Sequence, residues 1–277
     1  RLLNFEPSTV KYAPIKAREF FEWLESRQIN EISTVTKPII NNYFQHLKTR
    51  QNKKKGGKLS KNYLRTHLTA LRKLARYLRE TGQESFEVDL QLPGNAHNIK
   101  TIFSLTEIKA LYNVCDNDIL GIRDRAILAV YYGCGLRRTE GVSLDTDDIL
   151  FNRNLVYVRK GKNYKERYVP MSAGVREDLQ NYIDYARPVL IKSTTKALFL
   201  GSQNGNRLGS TGIADRLQNL KEKAEINKEA GLHALRHSIA THLLQSGMEL
   251  QQIKRFLGHS SLESTQIYTH IANETSK

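Results

Sequence analysis

The densest run of reactive side chains lies between Gly231 and His270, GLHALRHSIATHLLQSGMELQQIKRFLGHSSLESTQIYTH. His233 and Arg236 stand three residues apart, a spacing that puts both on one face of a helix. Arginine offers a fixed fork of donors that matches phosphate oxygens, and histidine can donate or relay a proton near neutral pH. His259 follows in an LGHSS loop, and Tyr268 comes nine positions later. A phenol can attack phosphorus and form a covalent ester. Taken singly, a Tyr or His on a helix is more often packing than chemistry. His233 and His237 also stand at i,i+4, a spacing that could hold zinc. The metalloprotease form needs Glu directly after the first histidine, and Ala234 occupies that place.

As an ordered set, HxxR, LGHSS and the following Tyr resemble the C-terminal signature of the tyrosine recombinases. Two upstream stretches carry the resemblance further. GCGLRRTEGVSL, with Arg137 and Glu140, is similar to the family's GLRxxExxxL box, and GKNYKERYVP, with Lys162, is similar to its GKxxKxRxVP hairpin. Together the five motifs cover most of residues 100–270. The resemblance implies a mainly α, two-domain chain. A helical, SAM-like core-binding domain is expected at 1–92 and a linker at 93–101. A mixed α/β but mostly helical catalytic domain with a small β-hairpin or sheet is expected at 102–277.

By the same resemblance the catalytic residues are Arg137, Lys162, His233, Arg236, His259 and the nucleophile Tyr268, with Glu140 in support. Arg137 and Arg236 would clamp the phosphate, His233 would serve as base and Lys162 as general acid. Lys160, two residues earlier, competes for the acid's role. The expected reaction is site-specific strand cleavage and rejoining through a 3′-phosphotyrosyl ester and a Holliday junction. It would run as a homo-tetramer on two double-stranded DNA sites, monomeric when free, with no cofactor, metal or ATP. A type IB topoisomerase shares the Arg/Lys/Tyr chemistry, and a DNA-binding accessory protein with a retired site is the non-enzymatic alternative. The intact set of six speaks against the latter. With no arm-binding segment ahead of the first helices, a simple Xer-like or transposon-borne enzyme is expected, although only nine residues follow Tyr268 for contact with a neighbouring subunit.

Composition agrees with a nucleic-acid partner. The 277 residues carry a formal charge of +15, an excess that usually signals a polyanion. Cys115 and Cys134 are the only cysteines, which excludes a disulfide framework and paired-cysteine zinc spacing. No apolar run approaches membrane-spanning length, and a cytoplasmic, DNA-facing protein is expected.

The elements that must position these residues are legible from periodicity. A helix from Ser8 to Arg27, with Val10, Phe20, Phe21 and Leu24 apolar, contains Pro14, which predicts a kink or a later start. A second helix follows Thr36, with Pro38 in its first turn and Ile39, Ile40, Tyr43, Phe44 and Leu47 inward. After a basic loop with Lys53, Lys54 and Lys55, Ser60 opens a helix whose Leu64, Leu68, Leu71, Ala75 and Leu78 repeat on one face. Lys61, Arg65, Arg72, Arg76 and Arg79 form a parallel basic stripe that suits a DNA backbone or groove. In the second half, Ser104 with Glu107 fits a capping box, and residues 118–133 read as a central apolar helix. Leu155–Arg159 and Glu166–Val169 read as a hairpin around Lys160 and Lys162, and Ala197–Leu200 as a further short strand. Later helices are expected at 172–186, 210–224, 234–245 and 249–257, the last two stopped by Gly247 and Gly258.

Overall fold

The computed structural model describes residues 7–52, 56–92, 101–159 and 166–258. Two compact units divide the chain, Arg1–Ala96 and His97–Lys277, and both are mainly helical, with one small antiparallel sheet in the second.

In the first unit α1 (Pro7–Glu25), α2 (Lys37–Thr49) and α3 (Lys61–Glu80) enclose a single apolar core. All five apolar positions of the α3 repeat are buried, from Leu64 to Leu78. Ser60 caps that helix, its hydroxyl accepting from the Tyr63 N–H at 3.1 Å. Helix α2 has Pro38 in its first turn and buries Ile40, Tyr43, Phe44 and Leu47, with Ile39 half-buried. Of the two outcomes expected at Pro14, a kink or a later start, the later start is not taken. The helix begins at Pro7 and includes Pro14 rather than starting after it. Val10 is 57% exposed, so it is no part of the core, which α1 enters through Phe20, Trp23 and Leu24. A polar contact is sealed inside this unit: the Tyr43 hydroxyl lies 3.1 Å from Nδ1 of the buried His67. Burial, then the charges of Lys16 and Arg50, push that imidazole down to about 3. It is therefore neutral at ordinary pH, and its 3.4 Å approach to Glu19 is not an ion pair.

In the second unit α4 (Leu105–Asn113) opens with the expected capping box. The Glu107 N–H donates to the Ser104 hydroxyl at 3.1 Å, and the Ser104 N–H donates to the Glu107 carboxylate at 2.7 Å. The central apolar helix is α5 (Ile119–Leu128), capped by Asp118, and it runs on as five residues of π-helix, Ala129–Gly133. The expected hairpin is β2 (Leu155–Val158) with β3 (Arg167–Pro170), in a register that pairs Val156 with Val169 and Val158 with Arg167. A two-residue strand, β1 (Ile149–Leu150), extends it to three strands in the order β1-β2-β3. Ala197–Leu200 is not a strand. It makes only isolated bridges, Asp145 to Ala197 and Leu200 to Arg207. All four residues are buried, so their apolar character reflects a place in the core rather than a ladder.

The chain then builds α7 (Ala173–Asn181), a second π segment (Tyr182–Ala186), α8 (Arg187–Leu190), α9 (Ser210–Lys223), α10 (Leu232–Gln245) and α11 (Leu250–Leu257). Gly247 and Gly258 end the last two in the left-handed region, at φ +89° and +65°. Among the described residues no helix is long and apolar enough to cross a membrane.

Leu71 is wholly buried on the core face of α3. Leu71→Ala should destabilise the first unit by about 2–5 kcal/mol, the usual cost of a cavity at a well-packed leucine. Denaturant unfolding of the full chain measures it, and a loss below about 1 kcal/mol would mean that the α3 face is not the unit's core.

Candidate active site

A buried carboxylate, Glu140, lies where four segments of the second unit meet. It belongs to α6 (Arg138–Val142), a single turn whose N-cap is Arg137. The Arg137 N–H donates to one Glu140 oxygen at 2.8 Å, which satisfies an orphan donor at the helix start. The Arg137 guanidinium reaches the other oxygen at 2.7 Å. From β3, Arg167 engages both oxygens, at 2.9 and 2.8 Å, in the bidentate geometry that a guanidinium fork allows. From α10, Arg236 comes within 3.9 Å of the same carboxylate.

The two expected clamp arginines also hold main-chain carbonyls. Arg236 donates to Gly135 at 2.5 Å and to Leu257 at 2.6 Å. Arg137 donates to Gly258 at 2.9 Å. Both are thus tied to the C-terminal end of α11, whose last carbonyls lack intrahelical partners. Gly135 can make this contact because it sits at φ +58° in a turn packed tightly between α10 and α11. A Cβ there would lie 2.9 Å from Leu257 and 3.2 Å from Ile239 and Phe256. The π segment supports α6 from beneath: Tyr131 is buried against Gly141, and its hydroxyl donates to the Arg138 carbonyl at 3.0 Å.

Arg137, Glu140 and Arg236 therefore come together. His233 is exposed in the first turn of α10, one turn before the buried Arg236. Lys160, Lys162, His259, Tyr268 and the loop lysines Lys53, Lys54 and Lys55 lie outside the described residues. The strands on either side of residues 160–165 are nevertheless anchored. Arg159 donates to Asp148 at 2.6 and 2.7 Å and to Asp145 at 2.6 Å, and Arg167 is held by Glu140. On α3, Lys61, Arg76 and Arg79 are exposed and Arg65 is half-buried. Arg72 is exposed but donates to the Leu90 carbonyl at 2.8 Å and the Val88 carbonyl at 3.4 Å, so its fork is engaged by the extended segment after the helix.

Arg167, in the GKNYKERYVP stretch, joins the cluster although the motif resemblance assigns it no role. A signal was available: strand alternation puts residue 167 on the same face as the buried Val169. An arginine on the core face needs a buried anion.

Residues 102–275 match the family model described as the phage integrase family. The chain belongs to that family. It is a tyrosine recombinase by its relatives as well. It is 34% identical to the tyrosine recombinase XerC of Oceanobacillus iheyensis, over 98% of this chain and 88% of that protein. With the tyrosine recombinase XerD of Staphylococcus epidermidis it shares 35% identity, over 92% of this chain and 85% of the relative. Among solved structures it resembles the XerH site-specific recombinase bound to palindromic difH substrate in a post-cleavage complex. The TM-score is 0.71 at 20% identity, covering 95% of this chain and 77% of that one. The Tn1549 transposon integrase in complex with a circular intermediate DNA gives a TM-score of 0.70 at 17% identity, covering 96% and 90%. At those identities the structures establish the fold.

The electrostatics of this recombinase's cluster turn on Glu140. Burial would raise its pKa, but hydrogen bonding and charge from Arg167, followed by the N–H and charge of Arg137, outweigh it and hold the carboxyl at about 2. Because the folded value lies below the ordinary one of 4.5, the carboxylate's contribution is complete above that pH and is lost as pH falls towards 2. The shift corresponds to roughly 3 kcal/mol at neutral pH. Wild type should therefore exceed Glu140→Gln in stability by a margin that is large at pH 7 and much smaller at pH 3. Urea unfolding of both proteins at the two pH values measures this, and an equal margin at both would show that Glu140 is not held ionised by its neighbours.

Proposed function

We propose that this tyrosine recombinase cuts and rejoins double-stranded DNA at a specific site through a 3′-phosphotyrosyl intermediate on Tyr268. The observation that carries the reading is the meeting of Arg137 and Arg236 at one carboxylate and at the end of α11, immediately before His259 in sequence. Two guanidiniums brought to one place from distant parts of the chain are what a phosphodiester requires. Negative charge grows on its non-bridging oxygens as a fifth oxygen attaches, and fixed cations stabilise that charge at no cost in reorganisation.

In this mechanism Arg137 and Arg236 hold the two non-bridging oxygens, each worth several kcal/mol if oxyanion-hole losses of roughly 3–4 kcal/mol are a guide. His233 receives the phenol proton of Tyr268. A phenol of ordinary pKa about 10 is mostly protonated at neutral pH and is a weak nucleophile without a base. Tyr268 attacks phosphorus, the bond to the 5′-oxygen breaks, and Lys162, or Lys160 in its place, gives that oxygen a proton. His259 hydrogen-bonds a phosphate oxygen. The ester keeps the energy of the broken bond, so the 5′-hydroxyl of a partner strand can reseal it. Exchange between two duplexes then passes through a Holliday junction and engages four copies of the chain. The basic face of α3, with Lys61, Arg65, Arg76 and Arg79 and the charge of Arg72, contributes phosphate contacts.

DNA contacts of this kind fit the names of the similar structures, a recombinase bound to its difH substrate and a transposon integrase bound to DNA. Tyr268→Phe should bind a duplex carrying the site as wild type does but form no covalent complex on a nicked suicide substrate. An adduct that survives the change removes Tyr268 as the nucleophile. Arg137→Lys keeps the charge but loses the fork that reaches Glu140 and Gly258 together, so single-turnover cleavage should fall by about 10²–10³-fold. Cleavage close to wild type would contradict the clamp.

A further inference from the structure

We propose that Arg167 is a positioning residue of this site, holding Glu140 and the end of α11 in the places from which Arg137 and Arg236 are aimed; this rests on the recombinase reading above. Its guanidinium is the only one among the described residues that engages both Glu140 oxygens with side-chain donors. The same side chain lies across the left-handed Gly258. A Cβ on that glycine would stand 2.7 Å from Arg167 Cδ, 2.9 Å from Nε and 3.1 Å from Cζ. Arg167 thus fills the space beside the carbonyl that Arg137 grips, while also fixing the carboxylate that Arg137 and Arg236 approach.

Strand β3 makes this support rigid. Residue 167 is paired with Val158 across the hairpin, and Val169, two residues on, is buried in the core. A side chain fixed at its Cα by a ladder and at its tip by two charge-assisted hydrogen bonds has little freedom left. Arg137 by contrast is the most exposed of the three arginines, at 20% against 12% for Arg167 and 4% for Arg236. Its direction depends on what it leans against. Among the described residues the titratable and charged groups facing Glu140 are Arg137 from its own turn, Arg167 from β3, Arg236 from α10 and Tyr131 from the π segment. Asp148 and Arg159 line a cavity of about 200 Å³ beside it. Removing Arg167 takes away the strongest of the attractions that oppose burial, so Glu140 takes up a proton at a higher pH. A protonated Glu140 no longer holds Arg137 by charge.

Two measurements on the full chain test the proposal. Without DNA, the stability margin between Arg167→Gln and Arg167→Gln/Glu140→Gln should be smaller than that between wild type and Glu140→Gln, and should vanish at a higher pH. A margin that titrates as in wild type overturns the proposal, whatever happens on DNA. With DNA, Arg167→Gln should bind the site duplex as wild type does but form the covalent complex on the order of 100-fold more slowly, the scale of a small misplacement of reacting groups. Its rate should fall further as pH drops, with a slope that Arg167→Lys partly restores. Adding Glu140→Gln should slow it by less than the same change slows wild type, because part of what Glu140 does passes through its contact with Arg167. Additive losses, or cleavage that falls only as far as binding does, overturn it.

Gly258→Ala serves if Arg167→Gln does not fold. It keeps every charge but strains the left-handed turn and pushes the Arg167 side chain aside, and it should reproduce the cleavage defect with binding intact; unchanged cleavage overturns the proposal. Wild-type protein that forms no adduct on any tested site counts against the recombination mechanism instead, and the DNA-free measurement still decides Arg167.

Discussion

A single buried carboxylate facing three guanidiniums is the constraint on which the second unit depends. Taking a carboxylate out of water is costly, and the cost is met only where cations and donors are already in place. Glu140 meets that condition with Arg167 on both oxygens, Arg137 on one oxygen and through its N–H, and Arg236 at the edge of contact. Among the described residues the balance then runs the other way, because one negative charge cannot neutralise three positive ones. The surplus stays with the cluster, and its most exposed member is Arg137. The folding cost of bringing these cations together is thus met within the protein itself, by Glu140 and the main-chain carbonyls they hold.

The same arginines shape the chain. Helix ends leave carbonyls without partners, and α11 ends in a left-handed glycine that exposes them. Leu257 and Gly258 give theirs to Arg236 and Arg137. The carbonyls that end α11 are therefore held by the groups proposed to hold the phosphate, and the next residue in sequence is His259. Gly135 plays the matching part on the other side, offering Arg236 its carbonyl from a turn that only a glycine fits between α10 and α11. One hydrogen-bonded set thus couples the π segment, α6, β3, α10 and the end of α11. A disturbance in any of them reaches both arginines.

Most elements were legible from sequence because they are one-dimensional facts. The spacing of Leu64 to Leu78, the caps at Ser60 and Ser104, the hairpin around the lysines and the glycine stops after α10 and α11 depend on neighbours a few residues away. What escaped depends on partners far along the chain. Ala197–Leu200 looked like a strand because burial and strand propensity leave the same apolar signature over four residues. Val10 counts among the apolar positions of α1 yet stands exposed, because periodicity cannot say where along a helix the partner helices stop. The π segments have no compositional mark, since each is only five residues long and a change of period over so short a run cannot be read from the apolar pattern. In the cluster, the family resemblance singled out Arg137, Glu140 and Arg236, which the fold brings together, whereas Arg167 reads as one more charge in a charged hairpin until alternation is counted from Val169.

The two units also use positive charge in different ways, which bears on why a net charge of +15 says so little by itself. On α3 the cations stand at the surface, where water and salt screen them and their side chains can move. Such charges can attract a polyanion and add affinity without fixing any atom to within an ångström. Even there one member is diverted, since Arg72 holds the backbone at residues 88 and 90. In the second unit the cations lie against a carboxylate and main-chain carbonyls, where screening is weak and geometry is fixed. Only this second kind can favour a transition state over a ground state, because only a cation that stays in place can be nearer to where charge will develop than to where it already is. A count of lysines and arginines adds the two kinds together; the hydrogen bonds of Glu140 tell them apart.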